Sequence, residues 1–200
     1  GDVQVMMDTL DLGGARWEIT GDVKDQKESF TSMGLAILVA VILVYMVMAS
    51  QFESLLEPFI LIFEIPLALI GVIWILLITG TTMGMTSLVG VLMLTGIVVN
   101  NGIVLVDYAN KLRREQGMKL EEAIVAAGKT RLKPILMTAC TTVLALLPLS
   151  LGNSSSAALW SPMARTVIGG MLVATPLTLV VVPVLYVMLN RKKAERRGSA

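Results

Sequence analysis

Five long apolar runs separated by short polar connections organise this 200-residue chain. A helix needs about 20 apolar residues to cross roughly 30 Å of hydrocarbon, and each run meets that length. The pattern predicts transmembrane helices over residues 32–50, 58–78, 86–108, 134–151 and 163–189, the second bent at Pro66. The apolar residues come in blocks rather than at amphipathic spacing, which is the pattern of a helix surrounded by lipid or by other helices. The fold class read from this is an all-α membrane protein, a five-helix transmembrane bundle occupying residues 31–192. Before it, residues 1–30 are polar. A strand is expected from Ala15 to Thr20 after the Gly13-Gly14 turn, followed by a helical lead-in, a short α/β extracytoplasmic remnant. Thirty residues cannot bury a core, so this segment is read as the end of a larger domain. Between the third and fourth spans, Leu120, Ala123, Ile124 and Ala127 recur at helical spacing. That predicts an amphipathic helix over 119–130 lying along the membrane surface, and residues 193–200 form a polar tail.

The positions of the charges orient the chain. Of 16 bases, seven lie in the connection after the third span (Lys111, Arg113, Arg114, Lys119, Lys129, Arg131, Lys133) and five in the tail (Arg191, Lys192, Lys193, Arg196, Arg197). Two spans separate these segments, so they share one side of the membrane. The positive-inside rule makes that side cytoplasmic and sends the N-terminus to the extracytoplasmic face. With topology accounting for the bases, no nucleic-acid partner is expected. The chain holds 55% hydrophobic and 16% charged residues and no histidine. That removes HExxH metal sites and Ser-His or Cys-His nucleophiles. There is no Walker A loop. Neither an enzyme, a cofactor nor a metal site is therefore expected, and an ion gradient is the energy source for any pumping. The single cysteine, Cys140, reads as a small buried hydrophobe.

Polar residues inside the spans are expensive, at about 2.5–3.5 kcal/mol for a charge at mid-membrane on insertion scales, so each is a candidate for function. The third span carries Asn100, Asn101 and Asp107. Seven residues are nearly two turns, which puts Asn100 and Asp107 on one face about 10 Å apart, with Asn101 about 100° away. The Asn pair reads equally as a proton-conducting stripe or as hydrogen-bonding glue between helices. Asp107 is expected to pair with Lys111 at i+4. Glu64, two residues before Pro66, is expected to be protonated, paired or facing water. Thr138, Thr141 and Thr142 are expected to bond the carbonyl four residues back. Arg131 and Arg165 read as headgroup anchors, and Gly90, Gly96, Gly102, Gly169 and Gly170 as points of close helix approach.

Four segments in order, ASQFESLLEPFILIFEIPLALIG, GIVVNNGIVLVDYANKLRREQG, TRLKPILMTACTTVLALLPL and IGGMLVATPLTLVVVPVLY, resemble the C-terminal membrane half of a resistance-nodulation-division (RND) efflux permease, over residues 1 to about 192. The resemblance implies that this chain supplies the last five of twelve helices, preceded by the end of a porter subdomain. It implies a homotrimer in the bacterial cytoplasmic (inner) membrane, driven by protons, exporting drugs or other small amphiphilic substrates with a periplasmic adaptor and an outer-membrane channel. Its further partner would be the N-terminal half of the same transporter. In the family, a lysine of the third of these spans faces aspartates of the first half. Asn100 stands at that lysine position here. The neighbouring asparagine matches Asn101, the relay threonine Thr138, and the arginine before it Arg131. The proton-relay candidates are thus Asn100, Asn101, Thr138, Arg131, Asp107 and Glu64. Alternatives are an RND exporter of metals, lipids or polypeptides, or a non-pumping scaffold or sensor. An intramembrane aspartyl protease would need two facing aspartates, and the bundle offers only Asp107.

Overall fold

The computed structural model describes residues 22–52, 56–152 and 154–198, and every regular element among them is helical. The strand expected over Ala15 to Thr20 lies outside these residues. The elements are α1 (Asp22–Phe52), α2 (Leu56–Ile62), α3 (Glu64–Ile78), α4 (Met85–Gln116), α5 (Leu120–Leu151) and α6 (Ser155–Gly198). With α2 and α3 acting as one span, five helices are long and apolar enough to cross a membrane. The described residues form an all-α, multi-pass membrane bundle.

Several boundaries differ from the sequence reading. The span expected to bend at Pro66 is interrupted at one residue, Phe63, which itself keeps right-handed helical angles, φ −63° and ψ −16°. Proline has no N–H for the carbonyl four residues back, and its ring crowds that carbonyl; here the carbonyl belongs to Ile62. The surface helix expected over 119–130 is not a separate element but the first part of α5, which continues through Pro134 for 32 residues. At 1.5 Å per residue α4 and α5 each extend about 48 Å, well beyond the hydrocarbon. Hydropathy registers only the apolar part, whereas the polar turns Asn110–Gln116 and Leu120–Lys133 contain good helix formers and stay helical. The connection between α4 and α5 is short because Gly117 caps α4 in the left-handed conformation, φ 64°, a geometry that suits glycine.

α6 is the hub, packing on α3, α4 and α5, while among the described residues α1 touches only α2 and α4. The windows that could span are 56% buried in α4 but 6% in α1, so α4 is central and α1 peripheral. Glycines set the crossings. A Cβ on Gly71 would overlap the Gly169 carbonyl, and one on Gly170 would overlap Leu94. One on Gly90 would sit 2.8 Å from the Met163 carbonyl. Gly96 is different, with nothing within 4 Å of the Cβ position. Cys140, expected to be buried, is exposed.

Two apolar clusters fill the interior. One, toward the end of the bundle carrying the basic α4–α5 connection (the basic end), includes Leu61, Val99, Leu105, Val182 and Tyr186. The other, toward the opposite end, includes Ala68, Val72, Leu94, Val98, Met171 and Ala174.

Candidate functional site

A polar layer lies where the two clusters meet. Along α3 it is Glu64, between Leu61 and Ala68; along α4, Asn101 with Gly102, between Val98 and Leu105; along α6, Thr175 and Thr178, between Ala174 and Val182. All four polar side chains are buried, Glu64 to 1% and Thr178 to 2% relative exposure. The Glu64 carboxylate lies flat against Gly102. A Cβ there would overlap Oε1 and come within 2.6 Å of the Leu61 methyl. The Thr178 hydroxyl is a neighbour of the carboxylate, yet neither Glu64 oxygen meets hydrogen-bond geometry with any described group, and Thr175 Oγ1 is likewise unpartnered.

One residue from Asn101, Asn100 points the other way. It is exposed, as are Met93, Gly96 and Asp107, which follow at −7, −4 and +7 and so share its face. Asp107 does not pair with Lys111, whose Nζ lies 3.9 Å from Glu115 instead. Asp107 borders an open cleft of about 310 Å³ with Gln51, Asn110, Lys111 and Arg114. Thr138 is also exposed and donates to the Pro134 carbonyl at 3.0 Å, while Thr142 donates to the Thr138 carbonyl at 2.8 Å. Arg131 is no simple headgroup anchor. Its guanidinium lies 4.7 Å from the centre of the Tyr108 ring, an attraction between cation and ring face, with Nε buried and unpartnered. Of the six candidates, then, Asn101 and Glu64 are buried at the polar layer, Arg131 is joined to α4, and Asn100, Asp107 and Thr138 face out of the bundle.

Two networks were not foreseen from the sequence. At the basic end, Asn110 Nδ2 donates to Glu57 Oε2 at 2.8 Å, Tyr186 donates to Asn110 Oδ1 at 2.5 Å, and Arg113 donates to the Tyr186 oxygen at 3.1 Å. At the opposite end, Arg165 donates from Nε and Nη2 to the Ser150 carbonyl and from Nη1 to Thr81, the last at 2.7 Å; Ser161 donates to the same carbonyl. Arg165 therefore joins α5, α6 and the α3–α4 connection rather than anchoring in headgroups. The signal available was the placement of polar residues near the ends of apolar runs, but only packing decides which ends meet.

The AcrB/AcrD/AcrF family model matches residues 3–190. The chain is 40% identical over 192 residues to the swarming motility protein SwrC of Bacillus subtilis, covering 96% of this chain and 18% of SwrC. It is 36% identical over 184 residues to the cobalt-zinc-cadmium resistance protein CzcA of Cupriavidus metallidurans, covering 92% of this chain and 17% of CzcA. A solved heavy metal efflux pump superposes with a TM-score of 0.79 at 26% identity, covering 95% of this chain and 19% of the pump, and a second crystal form gives 0.76. The chain thus spans less than a fifth of the length of these relatives. With a family match along nearly its whole length and the same bundle in a solved pump, the chain belongs to the AcrB/AcrD/AcrF family of RND permeases.

Proposed function

We propose that this segment forms half of the proton-translocating bundle of a proton-driven RND efflux transporter. The observation that carries the reading is the outward stripe of α4, where Asn100 and Asp107 share an exposed face beside Gly96, with open space at its Cβ position. An amide within the membrane needs a partner. In this reading a carboxylate on a helix of the other half of the transporter accepts a hydrogen bond from Asn100, which holds a lysine's position in the family pattern. Unlike a lysine, Asn100 cannot carry charge. It responds to protonation of that carboxylate by rearranging its amide hydrogen bonds. By resemblance Thr138 and Arg131 line the same pathway, with Asp107 at its basic end, and Asn101, buried on the inner face of α4, adjoins it from within the bundle. The basic end is cytoplasmic, the N-terminus is outside, the membrane is the bacterial inner membrane, and the whole protein is a homotrimer working with an adaptor and an outer-membrane channel.

The export cargo is a small amphiphilic compound in the first reading. A second reading, export of metal cations, draws support from the likeness to CzcA and to the solved heavy metal pump. Competition between an amphiphilic dye and zinc or cobalt for export by the full-length transporter separates the two. The coupling proposal is tested with Asn100→Leu in the full-length protein in energised vesicles. Proton-coupled export is expected to fall at least about tenfold, a barrier change of about 1.4 kcal/mol. Unimpaired coupled export would remove Asn100 from the pathway.

A further inference from the structure

We propose that Glu64, with Gly102 and Thr178, forms a second proton-binding site, enclosed within this half of the bundle and separate from the outward stripe of Asn100. Its use in export rests on the proton-driven reading above, whereas its capacity to bind a proton is a property of these residues alone.

The geometry makes the case. Glu64 is 1% exposed and has no hydrogen-bond partner among the described residues at either carboxylate oxygen. An ionised carboxylate buried without a partner carries a severe desolvation cost, and a proton removes the charge. Among the described residues, no charged group faces the site from the elements packed on it. The buried polar side chains at the level of Glu64 are Asn101, Thr175 and Thr178, all uncharged. On α4, Asp107 lies five residues from Gly102, about 140° round the helix and on the exposed face. Lys111, Arg113, Arg114 and Glu115 lie still further toward the basic end. On α6, Arg165 is bound to Ser150 and Thr81 at the opposite end.

A metal ion fits less well than a proton. Hard cations take six or more oxygens, and the buried polar side chains at this level besides Glu64 are Asn101, Thr175 and Thr178. No group of three potential metal ligands occurs among the described residues. Gly102 leaves room for a carboxyl group and no more, since a Cβ at that position would overlap it.

The site also has an approach. Glu57 lies seven residues before Glu64, Asn110 eight after Gly102, and Tyr186 eight after Thr178, so each helix carries a second polar group about 10–12 Å toward the basic end. Those three groups are hydrogen-bonded to one another. Leu61, Leu105 and Val182 of the apolar cluster occupy the intervening level. The helix interruption at Phe63, where Pro66 gives the Ile62 carbonyl no N–H, lies one residue from Glu64. In this proposal protons exchange between the Glu57–Asn110–Tyr186 chain and Glu64 across that apolar level, entering and returning on the basic side.

The test is infrared difference spectroscopy on the full-length transporter in a bilayer, comparing wild type with Glu64→Gln across pH. The expected result is a neutral-carboxyl carbonyl band that Glu64→Gln removes and that declines reversibly as pH rises. Proton-coupled export by Glu64→Gln should fall to the background of vesicles without the transporter, because glutamine fills the site but cannot release a proton. If Glu64→Gln fails to assemble, Glu64→Asp keeps the test, since the band must then shift rather than vanish. A spectrum unchanged by either substitution would overturn the site. So would a band that never titrates while the fold is intact; full coupled export by Glu64→Gln would overturn the site's use in export. Export that proves independent of protons would sink the proposed function, while a titrating carboxyl band lost in Glu64→Gln would still establish proton binding at Glu64.

Discussion

The two faces of α4 differ in what satisfies them. The inner face, through Gly90, Leu94, Val98, Asn101, Leu105 and Leu112, is buried and meets α3, α5 and α6. The outer face, through Met93, Gly96, Asn100, Asp107, Lys111 and Arg114, is exposed. Each face carries a glycine and an asparagine, so residue type alone does not tell them apart. The inner glycines are filled against by a carbonyl or a carboxylate, whereas Gly96 meets nothing. Polar groups turned toward lipid are costly, which supports the reading that further protein covers the outer face. The inner face holds this half together, and the outer face is where its partner would dock.

The sharpest way to break this contrast is to overfill the inside. Gly71→Val drives a side chain into the Gly169 carbonyl, a backbone atom that cannot swing away. Overpacking of this kind costs typically 1–3 kcal/mol and sometimes more. We expect a loss of about 3 kcal/mol in the full-length protein, read by denaturant unfolding in detergent. A change under about 0.5 kcal/mol would mean that α3 and α6 do not cross as described.

Next in size is Arg165→Leu. It removes three charge-assisted donors and leaves the Ser150 carbonyl with the Ser161 hydroxyl. Hydrogen bonds to charged groups contribute about 1.5–3 kcal/mol each in favourable cases. A net loss of about 2 kcal/mol is expected in the same assay, and an unaffected midpoint would restore the headgroup-anchor reading. Tyr186→Phe should cost somewhat less, about 1.5 kcal/mol, because it strands Asn110 Oδ1 and one Arg113 donor in a partly buried setting. The same variant should slow the titration of the Glu64 carboxyl band. An unchanged rate would separate that network from the proton route.

The helices and the family were legible in the sequence because span length, charge placement and spaced motifs are local properties. The faces were partly legible. Helical spacing put Asn100 with Asp107 and turned Asn101 away, and the structure has Asn100 and Asp107 exposed and Asn101 buried. Which face was inner was not legible, because that depends on which helices pack on α4. For the same reason Gly96 looked equivalent to Gly90 and Gly102, Cys140 was expected inside, and Arg165 was read as an anchor. Lys111 was expected to pair with Asp107 at i−4 but meets Glu115 at i+4, two partners that spacing treats alike. The layer of Glu64, Asn101, Thr175 and Thr178 is a property of three helices in register, and no single run displays it.

The smallest structural effect is expected where the functional question is sharpest. Thr138 is exposed, and its hydroxyl already donates to the Pro134 carbonyl on its own helix, a bond that contributes little to helix stability. Thr138→Val keeps the shape and removes only the hydroxyl, so the unfolding midpoint should correspond to a change within about 0.5 kcal/mol. If Thr138 relays protons at the outward stripe, coupled export must nevertheless slow. Thr138→Ser, which restores a hydroxyl able to make the same backbone bond, must recover it. Slowed export with full recovery by serine would place the hydroxyl in the pathway. Export at the wild-type rate in Thr138→Val would show that the hydroxyl does no more than bond its own helix, leaving Asn100 and Asp107 as the polar groups through which this face acts.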